Sequence, residues 1–361
     1  MIIHRTILKE LLINLTVIVF SLSIILFMEK FVRITRVLMG KGADISDILK
    51  IFIYLQPSIL LVSIPMSILV AIFITYGRMS ADSEIVVLKG CGMSFWGVSR
   101  AAFMLSSVLF VLLLFVSLYL LPRGMSSFKK TLYETIVRKA SMTFQEESFS
   151  DVFQGNIIYV REVVSANKFR GIFIFRTSDQ TVNKPQSPMV IVAEDGTISS
   201  NPEEGFINMT MNKGVIHTYN DNTSTEITFS KYELVLTTEI DQDKIKPEEI
   251  NTIKLWRGRN RIITWAIELH RRLALPFACI IFGILGPALS NRMGKIGRLG
   301  GLSLSLAILM FYYLLLIIGE SFAKTGKIPA FLGGWAPNLF LGVFAWIFFY
   351  KAYKDKPIKR F

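Results

Sequence analysis

The chain has 361 residues, with 40 Lys and Arg against 27 Asp and Glu, for a formal net charge of +13. Hydrophobic residues make up 52% and charged residues 19%, and the mean hydropathy is +0.49. Soluble domains are about 25% charged, so these values exclude an ordinary soluble globule and a disordered chain, while two cysteines and three histidines argue against a disulfide framework or a multi-cysteine zinc site.

A bilayer core of about 30 Å needs roughly 20 apolar residues in a helix. Six stretches meet that need: Leu11–Met28, Ile51–Tyr76, Ala101–Leu121, Leu273–Leu289 (with a start nearer Trp265), Leu302–Gly319 and Phe331–Tyr350. The first follows the basic residues Arg5 and Lys9 and lacks a small-residue cleavage site, so it reads as a retained span. Lys and Arg in short loops set orientation. The N-terminus, loops 77–100 and 290–299 and the tail 351–361 hold thirteen of them, against seven in loops 29–50 and 320–330. Both termini are therefore expected in the cytoplasm, with the long insert on the far side. The run Lys351–Arg360 reads as the positive-inside anchor.

The chain thus divides into three parts. Residues 1–122 hold three spans, with a short helix over 79–90. Residues 123–260 hold a domain with flanking linkers, and 261–361 hold three further spans and the tail. Within the insert, residues 141–240 carry 7 basic and 13 acidic residues. Short β-type runs fill it: Asn156–Val164, Phe169–Arg176, Met189–Ala193, Phe206–Met211, Val215–Tyr219 and Glu226–Thr237. Turn signals at Gln154-Gly155-Asn156, Glu194-Asp195-Gly196 and Asn201–Gly205 separate them. About six strands in a hundred residues predict a sandwich or jellyroll-like all-β domain. Ile172 and Ile174 face one way and Phe173 and Phe175 the other, so this strand needs cover on both faces. A sandwich core with a neighbouring chain would provide it, and so would an apolar trough for a lipid tail. Residues 241–260 read as a polar linker.

Three features bear on function. The first is the loop after span two, Tyr76–Gly92. Ser80 can cap a short helix with Asp82, Ser83 and Glu84 in its first turn, where carboxylates favour the positive end of the dipole. Ile85, Val86 and Leu88 give that helix an apolar side. It is either a docking helix for a partner with basic groups or a membrane-surface loop. The second is the row Lys30, Arg33 and Arg36, which covers about a 120° sector of a continuing helix. Such a row binds anionic headgroups or phosphates, or it snorkels to the interface. The third is the set of in-span prolines, Pro57, Pro65, Pro276 and Pro287, which interrupt backbone hydrogen bonding. They suit a chamber that opens sideways, or static packing.

No chemistry-bearing constellation accompanies these features. The sequence has no G-x-x-x-x-G-K-[ST] and no H-E-x-x-H. His270, in Glu268-Leu-His-Arg-Arg, has no partner at metal spacing, and Gly294, Gly297, Gly300 and Gly301 follow no strand and read as a basic turn. Cys91 and Cys279 fall in a loop and in a span, and read as inert thiols. No catalytic or metal residues are expected.

Three stretches carry a resemblance: Gly77–Ser94, Glu268–Leu289, and Tyr312–Asn338 with Tyr313, Gly319, Pro329 and Trp335. Together with the three–domain–three layout, they resemble the lipopolysaccharide-export permease family LptF/LptG, and more its LptF branch. The resemblance implies a subunit of an ATP-binding-cassette transporter in the bacterial inner membrane that extracts lipopolysaccharide. It implies a paralogous LptG-like permease beside it, an LptB-like ATPase dimer below, and an LptC-like periplasmic bridge component above. ATP would be bound by the ATPase alone, with no cofactor on this chain and no nucleic-acid partner. By resemblance Asp82, Glu84 and Leu88 contact the ATPase, with Glu84 forming the salt bridge. Lys30, Arg33 and Arg36 face lipid phosphates, and Ile172, Phe173, Ile174 and Phe175 line a periplasmic lipid trough. A permease of another exporter, for lipoprotein or peptide, is the alternative; a membrane-embedded enzyme or a scaffold fits less well.

Overall fold

The computed structural model describes residues 2–38, 45–138, 146–153, 156–165, 167–176, 189–201, 206–220, 223–236, 246–292 and 297–354. Six helices are long and apolar enough to cross a membrane. These are α1 (Ile2–Leu38), α2 (Ile45–Ala81), the run from α4 (Phe95–Phe115) through a π-helical turn (Val116–Leu120) into α5 (Leu121–Arg138), α7 (Ile263–Arg292), α8 (Gly297–Lys324) and α9 (Ala330–Lys354). Between α2 and α4 lies the short α3 (Glu84–Gly90), and α6 (Thr252–Gly258) precedes α7. The helices overrun the charge-free stretches at both ends. A span continues into the headgroup region wherever its backbone can stay hydrogen-bonded, so Lys30, Arg78, Glu268, Arg272 and Glu320 all lie within these helices. The expected linker 241–260 instead contains a 3₁₀ turn (Pro247–Glu249) and α6.

Compactness divides the chain into two units, residues 1–30, 54–126 and 246–361 in one and 31–53 and 127–245 in the other. In the first, α7 packs on α4 and α9, and α8 packs on α9. Without a hydrophobic drive between helices in lipid, small residues and buried polar groups hold such contacts. Gly319 illustrates the first: a Cβ there would stand 2.6 Å from the Gly333 carbonyl oxygen. Gly319→Leu should force α8 and α9 apart and destabilise the protein by about 1–3 kcal/mol, read as a lowered melting temperature in detergent. An unchanged value would show that the two backbones do not need this approach. Asn338 illustrates the second. Its Nδ2 donates to the Ala274 carbonyl at 2.7 Å, and its Oδ1 accepts from Tyr312 Oη at 3.1 Å, tying α7, α8 and α9 together.

The second unit contains the all-β domain. Its strands are β1 (Ser148–Phe153), β2 (Asn156–Ser165), β3 (Lys168–Arg176), β4 (Met189–Asn201), β5 (Phe206–Asn220) and β6 (Thr223–Leu236). They pair antiparallel in strict sequence order as one sheet. The sequence misses β1 and splits β5 in two. The reason lies in a row that the ladders skip: Arg161, Gly171, Glu194, Lys213 and Ser230 sit side by side without pairing. Gly171 and Lys213 have φ of 65° and 49°, the left-handed region where a turn residue is expected. Burial changes parity across this row. Ile172, Ile174, Ile191, Ala193 and Ile216 are buried on one side of it, and Phe169, Ile198, Met209, Met211 and Leu234 on the other, all in one cluster. The sheet is therefore creased, and its halves close over a single core. The two layers expected of a sandwich arise from one meander, and the Glu194-Asp195-Gly196 turn signal marks the crease within β4 rather than a strand end.

Candidate functional site

The turn after span two is built around one guanidinium. Arg78, in the last turn of α2, grips Glu10 of α1 with both ends of its fork: Nε donates to Oε1 at 2.8 Å and Nη2 to Oε2 at 2.7 Å. Its Nη1 also donates to Glu84 Oε1 at 2.6 Å and to Asp82 Oδ2 at 3.2 Å. Bidentate pairing of this kind gives geometric specificity as well as energy. Three carboxylates surround one cation, so the cluster keeps a surplus of negative charge. The surplus points outward: the side chains of Asp82 and Glu84 are 55% and 42% exposed, against 29% for Glu10.

The short helix forms as the sequence predicts, with different limits. Ser80 remains in α2, and its carbonyl accepts from Ser83 N–H. Ser83 occupies the cap position with φ 59° and makes no side-chain cap, while Asp82 lies in the turn. The left-handed Ser83 lets the chain reverse between α2 and α3. Ile85 is buried, and Leu88, half-buried, packs beside the same core. Val86 and Val87, 63% and 62% exposed, form the apolar surface next to Glu84. Beyond them the turn is held rigidly. Met93 N–H donates to the Leu88 carbonyl, Gly97 N–H donates to Ser94 Oγ at the start of α4, and Tyr76 Oη donates to the Val98 carbonyl at 2.9 Å.

Among the basic-row residues, Lys30 Nζ donates to Ser58 Oγ of α2 at 2.9 Å. Arg33 and Arg36 lie on the continuing α1, and their side chains lie outside the described residues. In the β domain, Ile172 and Ile174 are sealed in the core at 1% and 0% exposure. Phe173 and Phe175 are half-buried on the opposite face, beside Tyr159, Val192, Ile157 and Val190. The four trough residues therefore do not share one surface.

A second cluster, missed by the metal-directed reading of Glu268-Leu-His-Arg-Arg, surrounds Arg272. All five N–H groups of this fully buried side chain have acceptors. Nε meets Glu268 Oε1 at 3.0 Å, Nη1 meets the Ile250 carbonyl and Thr252 Oγ1, and Nη2 meets the Pro247 and Glu248 carbonyls. Pro276 has no N–H to offer the Arg272 carbonyl four residues earlier, and Ser117 Oγ of the π turn donates there instead, at 2.8 Å. Thr252 Oγ1 donates to the Leu118 carbonyl at 2.7 Å. The strap 247–252, which follows the β domain in the chain, is thus bolted to the third and fourth spans. An arginine four residues from both a carboxylate and a proline was the available signal. Among the described residues no group of His, Cys, Asp and Glu is arranged to hold a metal. Both cysteines are free, Cys91 exposed and Cys279 buried.

The family described as lipopolysaccharide export system permease LptF/LptG matches residues 5–351. The chain is 22% identical over 347 residues to the lipopolysaccharide export system permease protein LptF of Escherichia coli K12, covering 94% of this chain and 92% of that one. The same identity and coverage relate it to LptF of Shigella flexneri. An uncharacterized protein of Rickettsia prowazekii is 21% identical over 298 residues, covering 79% and 80% of the two chains.

Proposed function

The chain belongs to the LptF/LptG family of lipopolysaccharide-export permeases, and from that premise we propose that it is one of two paired permease subunits driven by a separate ATPase dimer. Membership makes it a multi-pass inner-membrane permease rather than a catalytic enzyme. In the proposed arrangement both termini and α3 face the cytoplasm, in keeping with the excess of basic residues in the loops on that side. The β domain then stands in the periplasm and passes lipid to a bridge component. ATP binds to the partner, since this sequence has no phosphate-binding loop of its own.

One observation carries the reading. The turn between spans two and three presents Val86 and Val87 beside carboxylates that hold more negative charge than Arg78 neutralises. An apolar ridge flanked by surplus anions suits a groove with basic walls, and a nucleotide-driven subunit beneath the membrane would provide one. On the lipid side, Lys30 and Arg33 are the proposed phosphate contacts, with Arg36 one turn beyond Arg33, and Phe173 and Phe175 are the outward aromatic pair of the β domain.

Photocrosslinking followed by purification in mild detergent tests both ends of this proposal. The wild-type chain should carry with it an ATP-hydrolysing subunit and lipopolysaccharide. Lys30→Glu with Arg33→Glu should cut the crosslinked lipid about ten-fold, as expected for losing charge-assisted phosphate contacts, while retaining the ATPase. Undiminished lipid would remove these residues from the lipid path. Absence of any nucleotidase from the wild-type complex would remove the motor.

A further inference from the structure

Span one joins the helical core near its start, through Ile7, Leu11 and Leu15, and in its most apolar window 11% of residues are buried. A series of polar bridges also ties it to span two along its length. From the Arg78 end onward these are Glu10 to Arg78, Asn14 Nδ2 to Thr75 Oγ1 at 2.8 Å, Ser23 Oγ to Ser63 Oγ at 3.2 Å, and Lys30 Nζ to Ser58 Oγ at 2.9 Å. Residue numbers rise along α1 and fall along α2, as two antiparallel helices require. The two middle bridges use neutral groups inside an apolar helix pair, where no water competes for them. At the end of the series the same Arg78 guanidinium that holds Glu10 also holds Glu84 and Asp82. A displacement of α3 therefore pulls on α1 through a single charged group, and the remaining bridges oppose slippage between the two helices.

We propose that Arg78 is a positioning residue that makes span one move together with the docking helix α3, and that the polar ladder carries this movement along span one to Lys30. The inference rests on α3 being the ATPase contact. It adds that the motor's stroke reaches the lipid-facing end of span one without passing through the tightly packed α4, α7 and α9. Span one, packed into the core only near its start, is the moving part, and the ladder makes it one body with span two.

The test uses the assembled transporter in proteoliposomes. Glu10→Gln keeps Asp82, Glu84, Val86 and Val87 in place but lowers the negative surplus of the cluster by one charge, so bound ATPase and ATP hydrolysis are measured alongside and release is read per ATP hydrolysed. Lipopolysaccharide released per ATP should fall about five-fold or more, the lower range of coupling between sites. In a background without Cys91 and Cys279, Ser23→Cys with Ser63→Cys, joined by a short bis-methanethiosulfonate bridge, should leave transport intact, because the two helices do not slide. Adding the bridge to Glu10→Gln should restore release per ATP, which a merely local structural defect would not allow. Unchanged release per ATP in Glu10→Gln, or loss of transport on bridging the otherwise unaltered chain, would overturn the proposal. Either result, obtained while Glu84→Ala still weakens ATPase docking, would leave the docking role of α3 standing and remove only the linkage through Arg78.

Discussion

Glu84→Ala should weaken binding of the ATPase subunit about ten- to hundred-fold while the protein still inserts and folds. The magnitude follows from the worth of a hydrogen bond to a charged group, about 1.5–3 kcal/mol, with about 1.4 kcal/mol for each ten-fold. Inside the chain the loss is mild, because Arg78 keeps its two-pronged grip on Glu10. At the interface it removes the carboxylate nearest Val86 and Val87. Asp82→Ala should do less, since Asp82 is the more exposed of the two and makes the longer contact with Arg78. Titrating the purified permease pair with the ATPase and measuring bound subunit checks both variants. Wild-type affinity in Glu84→Ala would show that the cluster serves only to close the turn between spans two and three.

Arg272→Met should be the more severe change. It takes from Glu268, whose side chain is only 5% exposed, the nearer of its two arginine partners, leaving Arg271 at 3.6 Å, and it removes the side-chain donor from the carbonyls of Glu248 and Ile250. Removing one member of a buried ion pair costs about 3–5 kcal/mol, chiefly because the other charge is left uncompensated. The expected readouts are a markedly lowered melting temperature in detergent and proteolysis within 246–262, where the strap would come free. Pairing it with Glu268→Leu should recover part of the stability by removing the stranded carboxylate. Full stability in Arg272→Met alone would mean that the strap is held by something other than this hub.

The number of spans was legible because uncharged runs of this length need hydrocarbon around them, and all six runs fall within helices. Their limits were not, since charge content marks the edge of the apolar core and not the end of the helix. Thus α1 runs on past Lys30 and α7 starts ten residues before Leu273. The β class was legible from short β-branched and aromatic runs such as Phe169–Arg176, set apart by turn residues. The strand divisions were obscured because Gly171, Glu194-Asp195-Gly196 and Lys213-Gly214 carry turn chemistry at a crease inside long strands. Asp82 and Glu84 were singled out by their place in the short loop between spans, and the structure puts both on Arg78. Glu10 and Arg78 were missed because their partnership is set by two helices meeting end to end, which local spacing does not show. Leu88 was grouped with Ile85 and Val86 as one apolar side because a seven-residue helix has too few turns to reveal which side its core takes; Ile85 is the buried one, and Val86 and Val87 are the exposed pair. Arg272 was missed because Glu268-Leu-His-Arg-Arg was read for metal spacing, while its acceptors lie in the strap 247–252, some twenty residues away in sequence.

The most direct measurement of the whole account is transfer of lipopolysaccharide out of proteoliposomes that contain this chain and its paired permease, with and without the ATPase subunit. Transfer that requires both the ATPase and ATP, and that Glu84→Ala abolishes, is the predicted result. Transfer proceeding equally well with no nucleotidase present would contradict it.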